Sequence, residues 1–396
     1  MNILMLSSFL PYPLFSGGQI RLYNLIKQLS KRHTITLIAE KRAQQTATDV
    51  AEVEKICQKV IVVERKKQWS IQNILKAGFS ARPFLIVGHT DQKVQELLQK
   101  ELDKKIYDVL HVETFYVMQN LPKNFALPTV LVEHNIEYLV YKKYADNAPI
   151  FLRPFLAYDI AKLKRIEESF WKKASRLVAV SESEKAIMKR DDVVVVPNGV
   201  DVKKFAISRT KSTDEIRVLF IGDFKWVQNR DAVAWILTEI WPKISSKLEV
   251  RSSKLPIMLW IVGKNIPVSL KRLTNDPAIV FDENAPDETE KIYQKSDVLL
   301  APIRVGGGTS YKILEAMASQ TPVVTTKLGA EGLEIKHEKE VLIGTTSDEL
   351  AANVVKLLAD KSLAEKLSQQ ARKMVETNYT WEEIVKKLEA VYASAI

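Results

Sequence analysis

Residues 305–318, VGGGTSYKILEAMA, set three consecutive glycines before a lysine and a glutamate on what reads as the first turns of a helix. Glycines let an anion approach the backbone, and free amides at a helix N-terminus favour negative charge. Thr309 is the expected N-cap. Lys312 then falls in the first turn, where a cation opposes the helix dipole by about 0.3–1 kcal/mol. A bound anion reverses that sign. Glu315 follows three residues later on the same side of the helix, where a carboxylate can accept two hydrogen bonds from a ribose diol. Amides and lysine for phosphates, with glutamate for ribose, spell a nucleotide. A glycine turn followed by a surface lysine is the plainer reading, and this segment alone leaves both open.

Two other segments have related chemistry. LFIGDFKWVQN (219–229) is a strand running into Gly222, with Lys225 just beyond its end. PLFSGGQIRLYNL (13–25) places Gly17 and Gly18 at the opening of a helix. His134 lies just past the strand TVLV (129–132), and Glu113 and Glu137 occupy similar strand-end positions. Each carboxylate is a candidate for binding a ligand at the strand end, or an ordinary satisfied loop residue. His134 leaves the same choice. No Asp-x-Asp pair occurs in the chain, so a bound diphosphate would depend on cations and helix amides, with no metal expected.

The elements that must position these residues alternate. Short β-branched runs at 2–6, 34–39, 60–63, 108–112, 129–132, 176–180 and 193–196 are separated by helical periods. In 20–31, Leu22, Leu25, Ile26 and Leu29 mark one helix face. PNGVDVKKF (197–205) breaks the pattern with turn chemistry, and the polar stretch to about 215 reads as a linker. The alternation then restarts at 217–221, 257–262, 278–281, 297–301, 322–326 and 341–343. Near-continuous apolar strands between helices argue for parallel sheets covered on both faces. The fold class is α/β: two Rossmann-like doubly wound domains facing across a cleft, one over 1–200, the other over 215–379. Such sheets bind ligands at the carboxyl ends of their strands.

The ordered motifs resemble the GT-B glycosyltransferases of the large retaining family 4, also called group 1. They are SGGQIR (16–21), VEHNIEYL (132–139), RLVAVSESE (176–184), PNGVDVKKF (197–205), IGDFKW (221–226), IVGKNIP (261–267), the stretch 296–326 and NYTWEE (378–383). The resemblance spans nearly the whole chain. It implies transfer of a sugar from a nucleotide-diphosphate sugar, without a metal or other cofactor and with retention at the anomeric carbon. It also implies that a last helix, 380–396, completes the first domain. Donor-binding positions carried over are Gly17, Gly18, Gly222, Lys225, Arg304, Gly306, Gly307, Gly308, Thr309, Ser310, Tyr311, Lys312 and Glu315. His134, Lys225 and Lys312 take the catalytic positions, with His134 near the transferred sugar, and Glu113 and Glu137 are the acceptor-side candidates. The family's usual acid eight residues before Glu315 is replaced by Gly307, as in a sub-branch with GGGTR-x-K-x-LEAMA. That branch's arginine is here Ser310, for which Arg304 could substitute.

The 396 residues carry a net charge of +10 at a pI near 9.3, and the one cysteine, Cys57, excludes an internal disulfide framework. No apolar run approaches the roughly 20 residues needed to span a bilayer. Pro11 and Pro13 interrupt the stretch after the first strand, unlike a signal peptide. A cytoplasmic protein is expected. Segments 65–84 and 151–173 mix basic residues with Trp, Phe and Leu, which suits either a peripheral contact with anionic membrane at its inner face or a solvated helix face. The acceptor is unassigned, with cell-envelope glycans, lipid-linked and small-molecule acceptors all compatible. The rival readings are a GT-B nucleotide-sugar epimerase or hydrolase, a dinucleotide oxidoreductase and a nucleic-acid binder. The first loop lacks the short Gly-x-Gly-x-x-Gly turn of the oxidoreductase. Spread charge and the absence of a recognised module argue against nucleic acid.

Overall fold

A computed structural model describes residues 1–146, 148–205, 215–249, 255–284, 288–306 and 308–396. Gly307 and most of the expected linker, 206–214, lie outside the described residues. The chain divides into two compact units, Met1–Val196 with Ile384–Ile396, and Pro197–Glu383.

The first unit is built on seven strands: β1 (Asn2–Ser7), β2 (Thr34–Lys41), β3 (Lys59–Glu64), β4 (Val109–Glu113), β5 (Thr129–Val132), β6 (Arg176–Ala179) and β7 (Val193–Val195). Their order is β3-β2-β1-β4-β5-β6-β7, and every pairing is parallel. β4 and β5 are buried along their whole length, as expected for strands covered on both faces. Leu4, Leu110, Val112, Leu131, Phe115 and Trp171 belong to this core. Helix Gly17–Leu29 buries Leu22, Leu25, Ile26 and Leu29, the stripe that the sequence spacing marks. The helix Trp381–Ala395 brings the chain's last residues into this unit, where Arg32 and His33 each bind Glu389 at 2.7 Å.

The second unit repeats the scheme with β8 (Ile216–Ile221), β9 (Ile257–Val262), β10 (Ile279–Asp282), β11 (Val298–Ala301), β12 (Val323–Thr325) and β13 (Leu342–Ile343). The order is β10-β9-β8-β11-β12-β13, again all parallel. In each unit the connections change direction at one place, between β1 and β4 or between β8 and β11. Ligand crevices of doubly wound sheets open beyond the carboxyl ends at such points.

The turn segment 197–205 packs as part of the second unit. Val200 N–H donates to the Tyr379 carbonyl at 2.8 Å. The buried Arg372 guanidinium donates to the carbonyls of Phe205 (2.8 Å) and Val202 (3.1 Å). The compact first unit therefore gives way to the second at Val196, four residues before the expected boundary at 200.

Candidate active site

In the second unit the site grows from the carboxyl ends of β8 and β11. After β11 the chain passes through the glycine loop into helix Tyr311–Ala318. The N-cap is Ser310, one residue beyond the expected Thr309, and its side chain makes no capping bond. Gly306 and Gly308 have φ of 116° and 79°, backbone that side-chain-bearing residues rarely adopt. Ile313, Leu314 and Met317 are buried and fix the helix on the sheet.

That anchoring aims Lys312 inward. Its ammonium donates to Asn229 Oδ1 at 2.7 Å and lies 4.2 Å from the centre of the Phe220 ring. Asn229 Nδ2 in turn donates to the Asp223 carbonyl at 2.8 Å. Gly222 is glycine for a contact reason: a Cβ there would lie 2.6 Å from Asn229 Nδ2. Part of Lys312's surface stays open to solvent, yet protein crowds its charged end. Burial pushes its pKa down to about 7, against the opposing pull of Glu315. Burial likewise raises Glu315 to about 7, opposed by the Tyr293 hydroxyl and more weakly by Lys204 and Lys312. The Tyr293 hydroxyl lies 3.0 Å from Glu315 Oε2 and 3.2 Å from the Lys312 carbonyl. A cation that half-loses its charge near neutrality is poised to gain from an arriving anion.

Lys225 is exposed at the end of β8, its ammonium 2.9 Å from Asp223 Oδ2. Asp223 also accepts from Lys225 N–H at 3.0 Å and Asn265 Nδ2 at 2.8 Å. Burial alone would raise its pKa, but these donors hold it below the usual value. Lys225 and Lys312 are thus tied by different partners to the segment leaving β8, Lys225 to the turn residue Asp223 and Lys312 to Asn229 on the helix Val227–Trp235. Arg304 forms a two-pronged pair with Asp231 (2.9 and 3.1 Å) and stacks 4.3 Å from the centre of the Trp235 ring. Its guanidinium is already engaged. Thr309's carbonyl accepts from Asn198 Nδ2 at 3.3 Å.

In the first unit the structure gathers Gly18, His134 and Glu113 at the ends of β1, β4 and β5. A Cβ on Gly18 would lie 3.3 Å from His134 Nδ1 and 3.3 Å from Phe9 Cζ. His134 Nε2 is 2.5 Å from Glu113 Oε1. Glu113 Oε2 is 2.5 Å from His111 Nε2, and His111 Nδ1 is 2.7 Å from the Tyr392 hydroxyl. Glu113 is fully buried behind His134, not open to an acceptor. Burial alone would raise its pKa, but the two imidazoles hold it well below the usual carboxylate range. The next residue, Thr114, has φ 70°, a strained conformation. Gly17 begins helix Gly17–Leu29.

Glu137 sits apart from this chain, among carboxylates. Its N–H and that of Tyr138 donate to Glu167 at 2.9 and 3.0 Å, so Glu167 serves the start of helix Glu137–Asp146. Burial raises Glu137 to about 7, opposed by hydrogen bonds with Tyr116 and Asn135. Among the described residues, no three His, Cys, Asp or Glu side chains form a metal-binding group.

Asn229, Asp223, Tyr293, His111 and Tyr392 are the site residues that sequence reasoning missed. A histidine inside the apolar strand DVLHV (108–112) was a legible signal for one of them.

Comparison with known proteins agrees with this architecture. The profile "Glycosyltransferase Family 4" matches residues 15–204, and "Glycosyl transferases group 1" matches 215–360. An uncharacterised 44.6 kDa protein in the cps region of Klebsiella pneumoniae is 23% identical over 394 residues, covering 96% of each chain. The sucrose-phosphate synthase of Thermosynechococcus elongatus superposes with a TM-score of 0.72 at 18% identity, over 100% of this chain and 99% of that one. Anabaena HepE, solved with UDP-glucose, gives 0.63 at 14% identity over the whole of both chains. With two parallel-sheet units of this topology and the two profiles together taking in most of its length, the chain belongs to the group 1, family 4 glycosyltransferases of GT-B fold.

Proposed function

We propose that the chain transfers a sugar from a nucleotide-diphosphate sugar, with retention and without a metal. The observation carrying this reading is the half-buried Lys312 beside the glycine loop, its ammonium crowded by Asn229 and Phe220, with Glu315 one turn on. Lys312 and the loop amides take the diphosphate and Glu315 the ribose. In the first unit, His134 serves the transferred sugar. HepE, a structural neighbour, binds UDP and UDP-glucose, which supports the donor class. The family resemblance supports retention: front-face attack needs no protein nucleophile, because the leaving phosphate can help deprotonate the acceptor. A thermal-shift screen against UDP, GDP, ADP and their sugars tests the reading. A ligand at 100 times its dissociation constant adds about 2.7 kcal/mol of stability. We expect one nucleotide family to stabilise the protein, and the shift and the transfer reaction to persist in excess EDTA. Activity lost with EDTA and restored by magnesium or manganese would overturn metal independence.

A cell-envelope or lipid-linked acceptor fits two further observations. The Klebsiella relative is described by its place in the cps region. The first unit also exposes Trp69, Ile71, Phe79, Phe151 and Phe155, each at least 70% accessible. Lys162 joins their two segments, its ammonium donating to the Ala77 carbonyl at 2.6 Å. Lys66, Lys67, Lys76, Arg82 and Arg153 belong to the same segments. Apolar side chains among cations suit an anionic headgroup layer. No helix among the described residues is long and apolar enough to cross a membrane. The protein should co-sediment with anionic vesicles at low ionic strength and release as salt rises. Trp69→Ala with Phe155→Ala should weaken that binding, and no co-sedimentation at low salt removes the membrane reading.

A further inference from the structure

We propose that Tyr392, His111 and Glu113 form a positioning chain that locks His134 in its Nε2–H tautomer, presenting Nδ1 as a hydrogen-bond acceptor to a substrate hydroxyl beside Gly18. The inference rests on the reading of His134 as a sugar-binding residue and adds which atom acts and what fixes it.

An ionised carboxylate only accepts hydrogen bonds. Glu113 is fully buried and has one imidazole nitrogen 2.5 Å from each oxygen. Both Nε2 atoms must therefore carry the protons. His111 Nδ1, 2.7 Å from the Tyr392 hydroxyl, then accepts from that hydroxyl. The protons run one way: Tyr392 O–H to His111 Nδ1, His111 Nε2–H to Glu113, and His134 Nε2–H to the other oxygen. Every hydrogen bond in this chain is satisfied with a proton on each Nε2. His134 Nδ1 remains, facing Gly18, where an added Cβ would come within 3.3 Å of it. The bond made by one ring nitrogen sets which form the other takes, and partners behind a functional histidine hold both its ring orientation and its tautomer. His111 and Tyr392 are 281 positions apart, so the C-terminal helix has a role here beyond closing the first unit.

Imidazole 15N–1H correlation spectra of the ligand-free full chain read the tautomers directly. At pH 8 the wild type should show His134 and His111 protonated at Nε2 only. Glu113→Gln replaces one acceptor oxygen by a donor, so one histidine must give up its Nε2–H form. Should that variant fail to fold, Tyr392→Phe keeps the ring and deletes one hydroxyl. The His111 Nδ1 resonance should then shift while His134 keeps its tautomer. A wild-type His134 protonated at Nδ1, or a His111 resonance unmoved in Tyr392→Phe, overturns the chain. Adding UDP and then UDP-glucose separates the two ideas. Movement of His134 Nδ1 with UDP-glucose alone supports both. A stationary Nδ1 in protein that UDP-glucose demonstrably stabilises overturns the sugar reading of His134 while the Nε2–H form stands.

Discussion

Lys312→Ala should lower turnover by roughly 10²–10³-fold, about 2.7–4 kcal/mol by analogy with losing one oxyanion-hole donor. The rise in donor KM should be smaller. Charge on the diphosphate grows as the sugar bond breaks, so the ammonium is worth more in the transition state than in the ground state. Its pH dependence comes from burial. With a pKa near 7, the free enzyme is losing this charge as pH rises past neutrality, and a bound diphosphate must draw the proton back. Wild-type affinity for the diphosphate should therefore fall above pH 7, by at most about tenfold per unit. The alanine variant should lack that component of the slope. Stability has a separate signature. The folded pKa lies below the unfolded 10.5, so the charged lysine costs the ligand-free protein stability below about pH 7. That cost is relieved between 7 and 10.5. Ligand-free Lys312→Ala should not be destabilised at pH 6, and the wild type should gain on it as pH rises. An alanine variant that melts much earlier yet turns over normally would show that this lysine serves the fold. Lys225→Ala should do less, because its exposed ammonium already faces Asp223 at 2.9 Å.

Glu315→Gln should weaken nucleotide binding by about 1.5–3 kcal/mol, the worth of charge-assisted hydrogen bonds. That is about 10–150-fold in Kd, shared by free diphosphate and sugar donor alike. The carboxyl's pKa near 7 sets where the effect shows. At pH 8 the wild type is mostly ionised and the loss should be full. At pH 6 it is mostly neutral and the two proteins should converge. Stability moves the other way. Because the folded pKa lies above the unfolded 4.5, ionised Glu315 costs stability that builds through that interval and is complete above about 7. The glutamine variant should melt no lower than wild type at pH 8, with Tyr293 still able to donate to the amide oxygen. Equal nucleotide affinity for both proteins at pH 8 would assign Glu315 to structure alone.

The sequence by itself determined the two sheets and the glycine loop, and it suggested the nucleotide chemistry proposed for that loop. Apolar runs of strand length between amphipathic helices leave only covered parallel sheets as a way to bury both strand faces. Lys312 and Glu315 are neighbours on one helical turn, so their shared face follows from helix geometry. What burial does to those two charges was a tertiary outcome. Asn229, the acceptor for Lys312, is 83 positions away, and Tyr293 reaches Glu315 from another helix. Only packing of helix Tyr311–Ala318 against the sheet crowds both charged ends and draws their pKa values together near 7. Glu113 shows the same division. Its place at a strand end was legible and suggested an acceptor-facing carboxylate. Yet β4 and β5 lie side by side, and the C-terminal helix brings in Tyr392. Those contacts enclose Glu113 between two imidazoles, away from solvent.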